Sequence, residues 1–207
     1  MIKVKRLEVG AIQTNCYIIS SDFSDMALVV DPGGNYEQII AEINSLNKRV
    51  GAVLLTHAHF DHVLETHKFN ELGAKVYLHK NDIPFVNSDG NLARIFGFNY
   101  TPFIVDNELI EGLFDICGFK VRVIETPGHT DGSVCFLIDD LLFSGDTLFN
   151  LGFGRTDFPS GSSGKLYNSI KKLFALEGDY KLYPGHGFTS TLNYERLNNP
   201  ALDYLRQ

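Results

Sequence analysis

Four side chains of the types that bind metal ions crowd into the end of one short stretch, residues 51–62, GAVLLTHAHFDH. The stretch begins with an apolar run, which predicts a buried strand. It ends with His57, His59, Asp61 and His62. Alternation along an extended backbone points His57 and His59 to the same side, and Asp61 and His62 stand where the next helix is expected to begin. Core packing does not explain such a cluster, so the stretch predicts a metal site.

Three other predicted strands stop in the same manner, each running into a glycine and one side chain that can bind a metal. The glycine lets the backbone turn tightly at the end of the strand. Loops held at the rim of rigid strands commonly carry chemistry. The three are residues 121–124 before His129 in TPGHT, residues 141–143 before Asp146 in SGD, and residues 180–183 before His186 in PGHG. We therefore expect all these side chains to meet at one rim.

Seven candidate ligands are too many for one tetrahedral zinc, which takes about four, or about three and a water when it is catalytic. Two ions about 3.5–4 Å apart can share a water, lower its pKa toward about 7 and present hydroxide to a carbonyl or phosphoryl centre. We predict two divalent ions, zinc first, although mixed imidazole and carboxylate sites also accept iron or manganese. The expected division is His57, His59 and His129 for one ion, Asp61, His62 and His186 for the other, and Asp146 as a bridge.

The composition is that of a folded, acidic chain: 207 residues, 44% hydrophobic, with a formal net charge of −7. This length and apolar content predict one domain over residues 1–207. No block rich in Lys and Arg is present, so the expected partner is a small-molecule substrate, not nucleic acid or a membrane. The charged start MIKVKRLEVG lacks the apolar core of a signal peptide, which predicts a cytoplasmic protein. Nothing in the composition predicts an oligomeric state.

The order of predicted elements alternates short strands with a few helices. We expect Asn35 to cap the first helix and Gly73 to end the second, at residue 72. Two facing sheets with helices outside would bury these faces as an α/β sandwich. Residues 81–107 predict only a short helix and a loop. The predicted strands are residues 2–7, 15–19, 26–30, 52–55, 75–78, 113–116, 119–124, 133–138, 141–143 and 180–183, and the later helices are residues 165–176 and a segment within residues 193–205.

The strings THAHFDH, PGHT, SGDTLF and PGHG, in this order, resemble the metallo-β-lactamase superfamily over nearly the whole chain. The resemblance implies an αββα sandwich with the metals at one edge and the same division of ligands. Within the superfamily, GFGRTDFP at residues 152–159 and PGHGFTSTLNYERLNNP at residues 184–200 are similar to short glyoxalase II-like hydrolases of bacteria. Those are thioesterases that act on S-2-hydroxyacylglutathione, such as S-D-lactoylglutathione. Longer glyoxalase II enzymes have a C-terminal helical domain that supplies much of the glutathione site, so the resemblance implies less about the thiol carrier than about the thioester.

The implied reaction is metal-assisted hydrolysis, in which hydroxide attacks the thioester carbonyl and a thiolate leaves. Asp61 is expected to orient or deprotonate the attacking water, beside the bridging Asp146. Arg155 lies in a Gly-rich loop shortly after Asp146, where its guanidinium could fork a substrate carboxylate. An ion pair between Arg155 and Asp157 is an equal alternative.

A persulfide dioxygenase is the main rival function, because those enzymes also resemble this chain and share the string GRTDF. They hold one iron at positions that match His57, His129 and Asp146. Their last histidine usually lies in a PAHDY-like context, so PGHG favours the hydrolase. A β-lactamase is disfavoured by the absence of an export signal, and because the subclass with HxHxDH lacks an aspartate matching Asp146. Ribonuclease relatives carry an inserted domain and a more basic surface, and a non-catalytic relative would have lost ligands.

Overall fold

Two six-stranded sheets dominate the fold, which a computed structural model describes over residues 1–205. In chain order the first half contains β1 (Ile2–Val9), β2 (Thr14–Ser21), β3 (Ser24–Val30), α1 (Tyr36–Ser45), β4 (Arg49–Leu54), α2 (Phe60–Val63), α3 (Thr66–Glu71), β5 (Lys75–His79), two 3-10 helices (Ile83–Asn87 and Asp89–Asn91) and β6 (Asn107–Leu109). The second half contains β7 (Gly112–Ile116), β8 (Phe119–Glu125), β9 (Val134–Ile138), β10 (Leu141–Gly145), β11 (Leu148–Phe149), β12 (Gly152–Phe153), α4 (Ser163–Phe174), β13 (Lys181–Pro184), β14 (Ser190–Thr191), α5 (Leu192–Asn198) and α6 (Leu202–Leu205). The sheets have strand orders β1-β2-β3-β4-β5-β6 and β14-β13-β10-β9-β8-β7.

The sheets face each other across a core of strand side chains. Leu28 and Leu54 of the first sheet pack with Val121, Phe136 and Phe143 of the second. The strands at the centre of each sheet are apolar on both faces, so each sheet also needs a cover on its outer side. Helices α1 and α3 pack on the outside of the first sheet, and α4 packs on the outside of the second. The predicted αββα sandwich is confirmed.

The strand directions explain why the candidate ligands share one edge. Strands β3 to β6 are parallel, as are β10 and β13. Strands β8 and β10 are each antiparallel to β9 and therefore run in the same direction. Backbone hydrogen bonds join the two sheets at this edge, where a strand of each sheet donates to a loop of the other: Asn15 N to Gly185 O at 2.7 Å and Val134 N to Thr56 O at 2.9 Å. The ends of β4, β8, β10 and β13 therefore open onto one rim, as predicted.

Two local predictions need correction. Asn35 precedes α1 but does not cap it, because its backbone is left-handed (φ 55°) and its side chain makes no capping hydrogen bond. Its amide oxygen accepts a hydrogen bond from the Gly10 backbone N–H instead, at 3.0 Å. The helix expected to end at residue 72 is divided into α2 and α3, although Gly73 follows with φ +82° as predicted.

Other differences are at the ends of elements or in very short ones. Strand β4 covers Arg49–Leu54 instead of residues 52–55, and β13 begins one residue later than expected. The unpredicted strands β6, β11, β12 and β14 contain two or three residues each, too few to show a period. Residues 81–107 contain the two 3-10 helices and a loop. Within residues 1–205, no helix has the length and apolar character needed to cross a membrane.

Candidate metal centre

All seven predicted ligands lie together at the rim, and six of them form two groups that we name the all-histidine trio and the mixed trio. In each group the potential ligand atoms lie within 4.8 Å of one another. A third group shares residues with both trios and includes the carboxylate between them. The all-histidine trio is His57, His59 and His129, the mixed trio is Asp61, His62 and His186, and the third group is His57, His62 and Asp146. The first two groups contain the same residues as the two predicted ligand sets, whereas the third takes one histidine from each.

The all-histidine trio is a buried cluster of three imidazoles. His59 Nδ1 lies 2.8 Å from His129 Nε2. His57 Nδ1 lies 3.1 Å from Thr56 Oγ1, which leaves the Nε2 atom of His57 facing the other two rings. Burial lowers the pKa of His57 well below its usual range, and it lowers the pKa of His59 to about 3. Both rings are therefore held in the neutral form that binds a metal.

The mixed trio carries a carboxylate and is more open to solvent. Asp61 Oδ2 lies 3.4 Å from His62 Nε2 and 3.2 Å from His186 Nε2. The side chain of His186 is 26% exposed, whereas that of His62 is fully buried. Burial alone would lower the pKa of His62, but the charges of Asp61, Asp146 and Asp31 outweigh it and raise that pKa well above the usual value.

Asp146 lies between the two trios. Its Oδ1 atom is 3.4 Å from His62 Nε2, and its Oδ2 atom is 3.5 Å from His129 Nε2 and 3.6 Å from His186 Nε2. Burial opposes the charge of this carboxylate, but His62, His186 and His129 hold its pKa well below the usual value. The glycine of PGHG allows this approach, since a Cβ atom on Gly185 would lie 2.2 Å from Asp146 Oδ1. One ionised carboxylate thus reaches a histidine of each trio.

The residues at this rim fit divalent metal ions. Within the described chain, His57 Nε2, His62 Nε2 and Asp146 Oδ1 are buried without a hydrogen-bond partner. Buried polar atoms are normally satisfied, so several such atoms converging on one place indicate an ion. Imidazole nitrogens together with carboxylate oxygens are ligands that zinc, iron and manganese accept. The donor set implies divalent metal without identifying the element.

Asp31 supports both trios, and the sequence reasoning missed it. Its carboxylate accepts hydrogen bonds from Thr56 N at 2.8 Å and Thr56 Oγ1 at 2.6 Å, and its Oδ2 atom lies 2.9 Å from His62 Nδ1. Thr56 Oγ1 donates to Asp31 and so accepts from Nδ1 of His57. Both histidines are thereby fixed in the tautomer that presents Nε2 to the site. The sequence did carry a signal, because Asp31 directly follows a predicted apolar strand, residues 26–30.

Asp82 is a second supporting carboxylate that the sequence reasoning missed. It is buried and accepts hydrogen bonds from Ala58 N, Gly132 N and Thr130 Oγ1, at 2.9, 2.8 and 2.8 Å. These bonds tie the loop after β4 to the loop after β8. Burial raises the pKa of Asp82 despite the hydrogen bonds. The segment from residue 81 shows no hydrophobic period, so nothing in the sequence marks this residue.

Arg155 forms an ion pair with Asp157, which is one of the two roles predicted for its side chain. Its Nε and Nη2 atoms donate to the two carboxylate oxygens of Asp157, at 2.7 and 2.6 Å. The guanidinium also lies 3.9 Å from the centre of the Phe158 ring. The backbone carbonyl of Arg155 accepts a hydrogen bond from His129 Nδ1 at 2.8 Å. Arg155 therefore positions a histidine through its backbone, while its side chain is occupied by Asp157.

A cavity of about 210 Å³ opens over the two trios. Its lining combines ligand candidates, Arg155 and apolar side chains. His67 and His79 lie outside this lining and make ordinary hydrogen bonds, to Leu64 O at 3.2 Å and to Glu125 at 3.0 Å. The cavity has room for a small reacting group directly beside the candidate ligands.

The chain belongs to the metallo-beta-lactamase superfamily, whose sequence profile matches residues 9–186. The hydroxyacylglutathione hydrolase GloC of Haemophilus influenzae is 34% identical over 210 residues, which cover 98% of this chain and 99% of GloC. The probable metallo-hydrolase YqgX of Bacillus subtilis is 37% identical over 211 residues, which cover 98% of each chain. Family and relatives together identify a metallo-hydrolase, an enzyme class for which divalent metals and a small-molecule substrate are expected.

Solved structures confirm the fold. BLEG-1, a B3 metallo-beta-lactamase, superposes with a TM-score of 0.88 at 32% identity over 100% of both chains. TTHA1623 in a di-iron-bound form gives a TM-score of 0.85 at 32% identity, over 95% of this chain and 98% of the other. ETHE1 from Myxococcus xanthus gives 0.81 at 25% identity, over 96% and 83%. BLEG-1 is named a β-lactamase, and β-lactamase is a function that the sequence disfavoured. Cleavage of a β-lactam should therefore be assayed directly.

Proposed function

We propose that this protein is a binuclear metal-dependent hydrolase of acyl-thioesters, with S-2-hydroxyacylglutathione, such as S-D-lactoylglutathione, as its substrate class. The observation that carries the proposal is the position of Asp146, whose carboxylate lies within 3.6 Å of a histidine of each trio. A shared carboxylate supports two adjacent ions, the arrangement that activates water for hydrolysis. The likeness to GloC supports the thioester.

The proposed ligand set is the one predicted from the sequence. The all-histidine trio holds one ion, the mixed trio holds the other, and Asp146 bridges them, with zinc as the first expectation and iron or manganese as alternatives. Ligands come from both halves of the chain, from the loop after β4 and from the loops after β8, β10 and β13. We therefore also propose that residues 1–207 act as one domain.

Divalent ions held by the two trios and Asp146 would polarise the thioester carbonyl and lower the pKa of water. The carboxylate of Asp61 accepts a hydrogen bond from Thr14 Oγ1 at 2.9 Å, which fixes its orientation at the rim. Asp61 then orients the attacking water by accepting one of its protons. The water oxygen forms a bond to the carbonyl carbon, the carbon–sulfur bond breaks, and the sulfur leaves as a thiolate. The proton that Asp61 accepted passes to the thiolate, so the products are a carboxylic acid and a thiol.

A mononuclear iron persulfide dioxygenase is the second candidate. It needs only His57, His129 and Asp146, and all three lie in the site. The likeness to ETHE1 keeps this candidate open. The two candidates differ in metal stoichiometry, because the dioxygenase uses one ion and leaves the mixed trio without a role.

One sample tests both candidates. Purified protein is analysed for metal content per chain, and the same sample is assayed for hydrolysis of S-D-lactoylglutathione, for oxygen uptake with glutathione persulfide and for cleavage of a β-lactam. We expect two ions per chain and thioester hydrolysis. One iron with oxygen uptake establishes the dioxygenase instead, and efficient β-lactam cleavage without thioester hydrolysis rejects both. His67→Ala is the matched control, since His67 lies outside the site and its loss should leave metal content and turnover nearly intact.

A further inference from the structure

One side of the cavity over the candidate metal centre is apolar, and we name it the aromatic wall. It consists of Ile12, Phe60, Leu92, Phe96 and Phe158. Phe96 is 49% exposed and Ile12 is 44% exposed, although both are large apolar side chains. Apolar side chains left half-open beside a reactive centre are available to contact part of a substrate.

The rings of the wall contact one another in a series that runs from the buried Phe60 to the candidate metal centre. The ring of Phe60 stacks against that of Phe96 with centroids 5.6 Å apart, and Phe96 meets Phe158 edge-on at 5.9 Å. Phe158 in turn meets the imidazole of His59 at 5.8 Å. Phe60 also packs in a buried cluster with Leu92. The rings therefore form an ordered apolar surface that ends at a candidate ligand.

Leu92 provides an independent sign that this wall has a function. Its backbone is left-handed, with φ 69°, a conformation that is strained for a leucine. The strained backbone places the side chain of Leu92 in both the buried cluster and the cavity lining. Strain of this kind collects at ligand sites, where the surrounding structure maintains it.

The charges around the cavity do not favour a polar or anionic group at the wall. Arg155 is the one Lys or Arg among the described residues that line the cavity, and its Nε and Nη2 atoms already donate to the two carboxylate oxygens of Asp157. The guanidinium carbon also lies 3.9 Å from the centre of the ring of Phe158, which is part of the wall. The other ionisable lining groups are the candidate metal ligands.

We infer that the aromatic wall binds the acyl group of the thioester, that it selects alkyl or aryl acyl groups larger and more apolar than lactoyl, and that Phe96 is the specificity-determining residue. This inference rests on the proposed thioester hydrolysis. The volume of about 210 Å³ is below the usual range for small-molecule pockets, about 300–1,000 Å³. It holds an acyl group beside the metal centre, and a thiol carrier of tripeptide size lies outside.

The test compares glutathione thioesters that differ only in the acyl group: lactoyl, acetyl, butanoyl and hexanoyl. For the unaltered protein we expect kcat/KM to rise about tenfold or more from acetyl to hexanoyl, because each methylene that is buried adds up to about fourfold. Phe96→Ala should reduce this rise to less than about threefold. Phe96→Leu should retain most of the rise.

Phe23→Ala is the matched control. Phe23 is 58% exposed, packs on Phe119 and lies outside the cavity lining, so its loss should not change the dependence on chain length. If the unaltered protein hydrolyses these thioesters but its kcat/KM stays constant or falls as the acyl chain lengthens, the acyl-binding role of the wall is wrong and the proposed function stands. If kcat/KM rises with chain length as steeply in Phe96→Ala as in the unaltered protein, Phe96 does not determine the specificity.

A second measurement does not depend on turnover. Binding of acetate, butanoate and hexanoate to the metal-loaded protein is measured by calorimetry, because these are the product acids. Affinity that rises with chain length in the unaltered protein and in Phe23→Ala, but not in Phe96→Ala, supports the wall even where no thioester is hydrolysed. Affinity independent of chain length overturns it.

Discussion

The two trios lie side by side but differ in charge and in access to solvent. The all-histidine trio contains only imidazoles, and each of its residues is at most 3% exposed. The mixed trio contains the carboxylate of Asp61 and the partly exposed His186. The all-histidine trio thus offers an ion imidazole ligands away from solvent. The mixed trio offers an ion a negative charge at a position that solvent reaches.

The difference indicates how the work would be divided between the two proposed ions. Neutral ligands neutralise none of the charge of an ion, so an ion in the all-histidine trio depends on Asp146 for neutralisation. An ion in the mixed trio has Asp61 as well. Two carboxylates couple the trios. Asp146 lies against His62 of the mixed trio and His129 of the all-histidine trio. Asp31 contacts His62 directly and reaches His57 through the hydroxyl of Thr56. Substitutions at these shared positions should therefore damage both halves, and substitutions elsewhere only one.

The largest effect is expected from Asp146→Ala, which removes the carboxylate shared by both trios. Loss of a partner that only supports a ligand costs about 10–100-fold in metal affinity or activity. Loss of a shared ligand should cost more than about 100-fold in turnover and lower the metal content per chain. Metal analysis and kinetics on the same sample check this, with His67→Ala as control. Two ions per chain and full activity in Asp146→Ala would falsify the bridge.

The next largest effect is expected from Asp31→Ala, which withdraws support from a histidine in each trio. Metal affinity of both sites should fall by about 10–100-fold. Thr56→Val removes only the contact to His57 Nδ1 and the Thr56 hydroxyl bond to Asp31, so it should weaken mainly the all-histidine trio. Competition with a chelator measures the two affinities.

Thr56→Ser is the matched control for this pair, because it keeps the hydroxyl and should retain both ions. If Asp31→Ala and Thr56→Val weaken the same single site, the two-sided role of Asp31 is wrong. Circular dichroism on each variant separates loss of metal from loss of the fold.

The success and failure of sequence reasoning follow from how local each signal is. Each of the seven candidate ligands stands within a few residues of an apolar strand and a turn, so one pattern found them all. Asp31 has the same pattern, but its partners Thr56 and His62 are distant in sequence and its role depends on tertiary contacts. Asp82 has no local signal, because its three donors come from two loops that only the fold brings together.

Alternatives that depend on the direction of a side chain also needed the structure. The sequence allowed Arg155 to contact a substrate or Asp157 equally, and the guanidinium in fact forms both hydrogen bonds to Asp157. The sandwich itself was predictable, because period and turn residues marked ten of its strands. The very short strands were not, since two or three residues carry no period.

An intermediate effect is expected from acid, which should remove the two ions at different pH. The pKa of His62 is raised by nearby carboxylates, and the pKa values of His57 and His59 are lowered by burial. As the pH falls, protons therefore compete with metal first at the mixed trio, and His57 and His59 of the all-histidine trio stay neutral to lower pH. Metal retained after dialysis across a pH series should fall from two ions to one before it falls to none. Simultaneous release of both ions contradicts the difference between the trios.

The smallest effect is expected from Arg155→Ala, which separates the backbone role of this residue from that of its side chain. The carbonyl that accepts the hydrogen bond from His129 Nδ1 is retained, so the all-histidine trio should keep its ion. The ion pair with Asp157 is more than half exposed on both sides, and such pairs contribute about 0–1 kcal/mol, so the melting temperature should hardly change. Any loss should appear in KM for S-D-lactoylglutathione and stay within about fivefold, because the Nε and Nη2 donors of Arg155 are already bonded to Asp157. A loss of metal in this variant, measured per chain, would mean that the side chain, and not the carbonyl, supports His129.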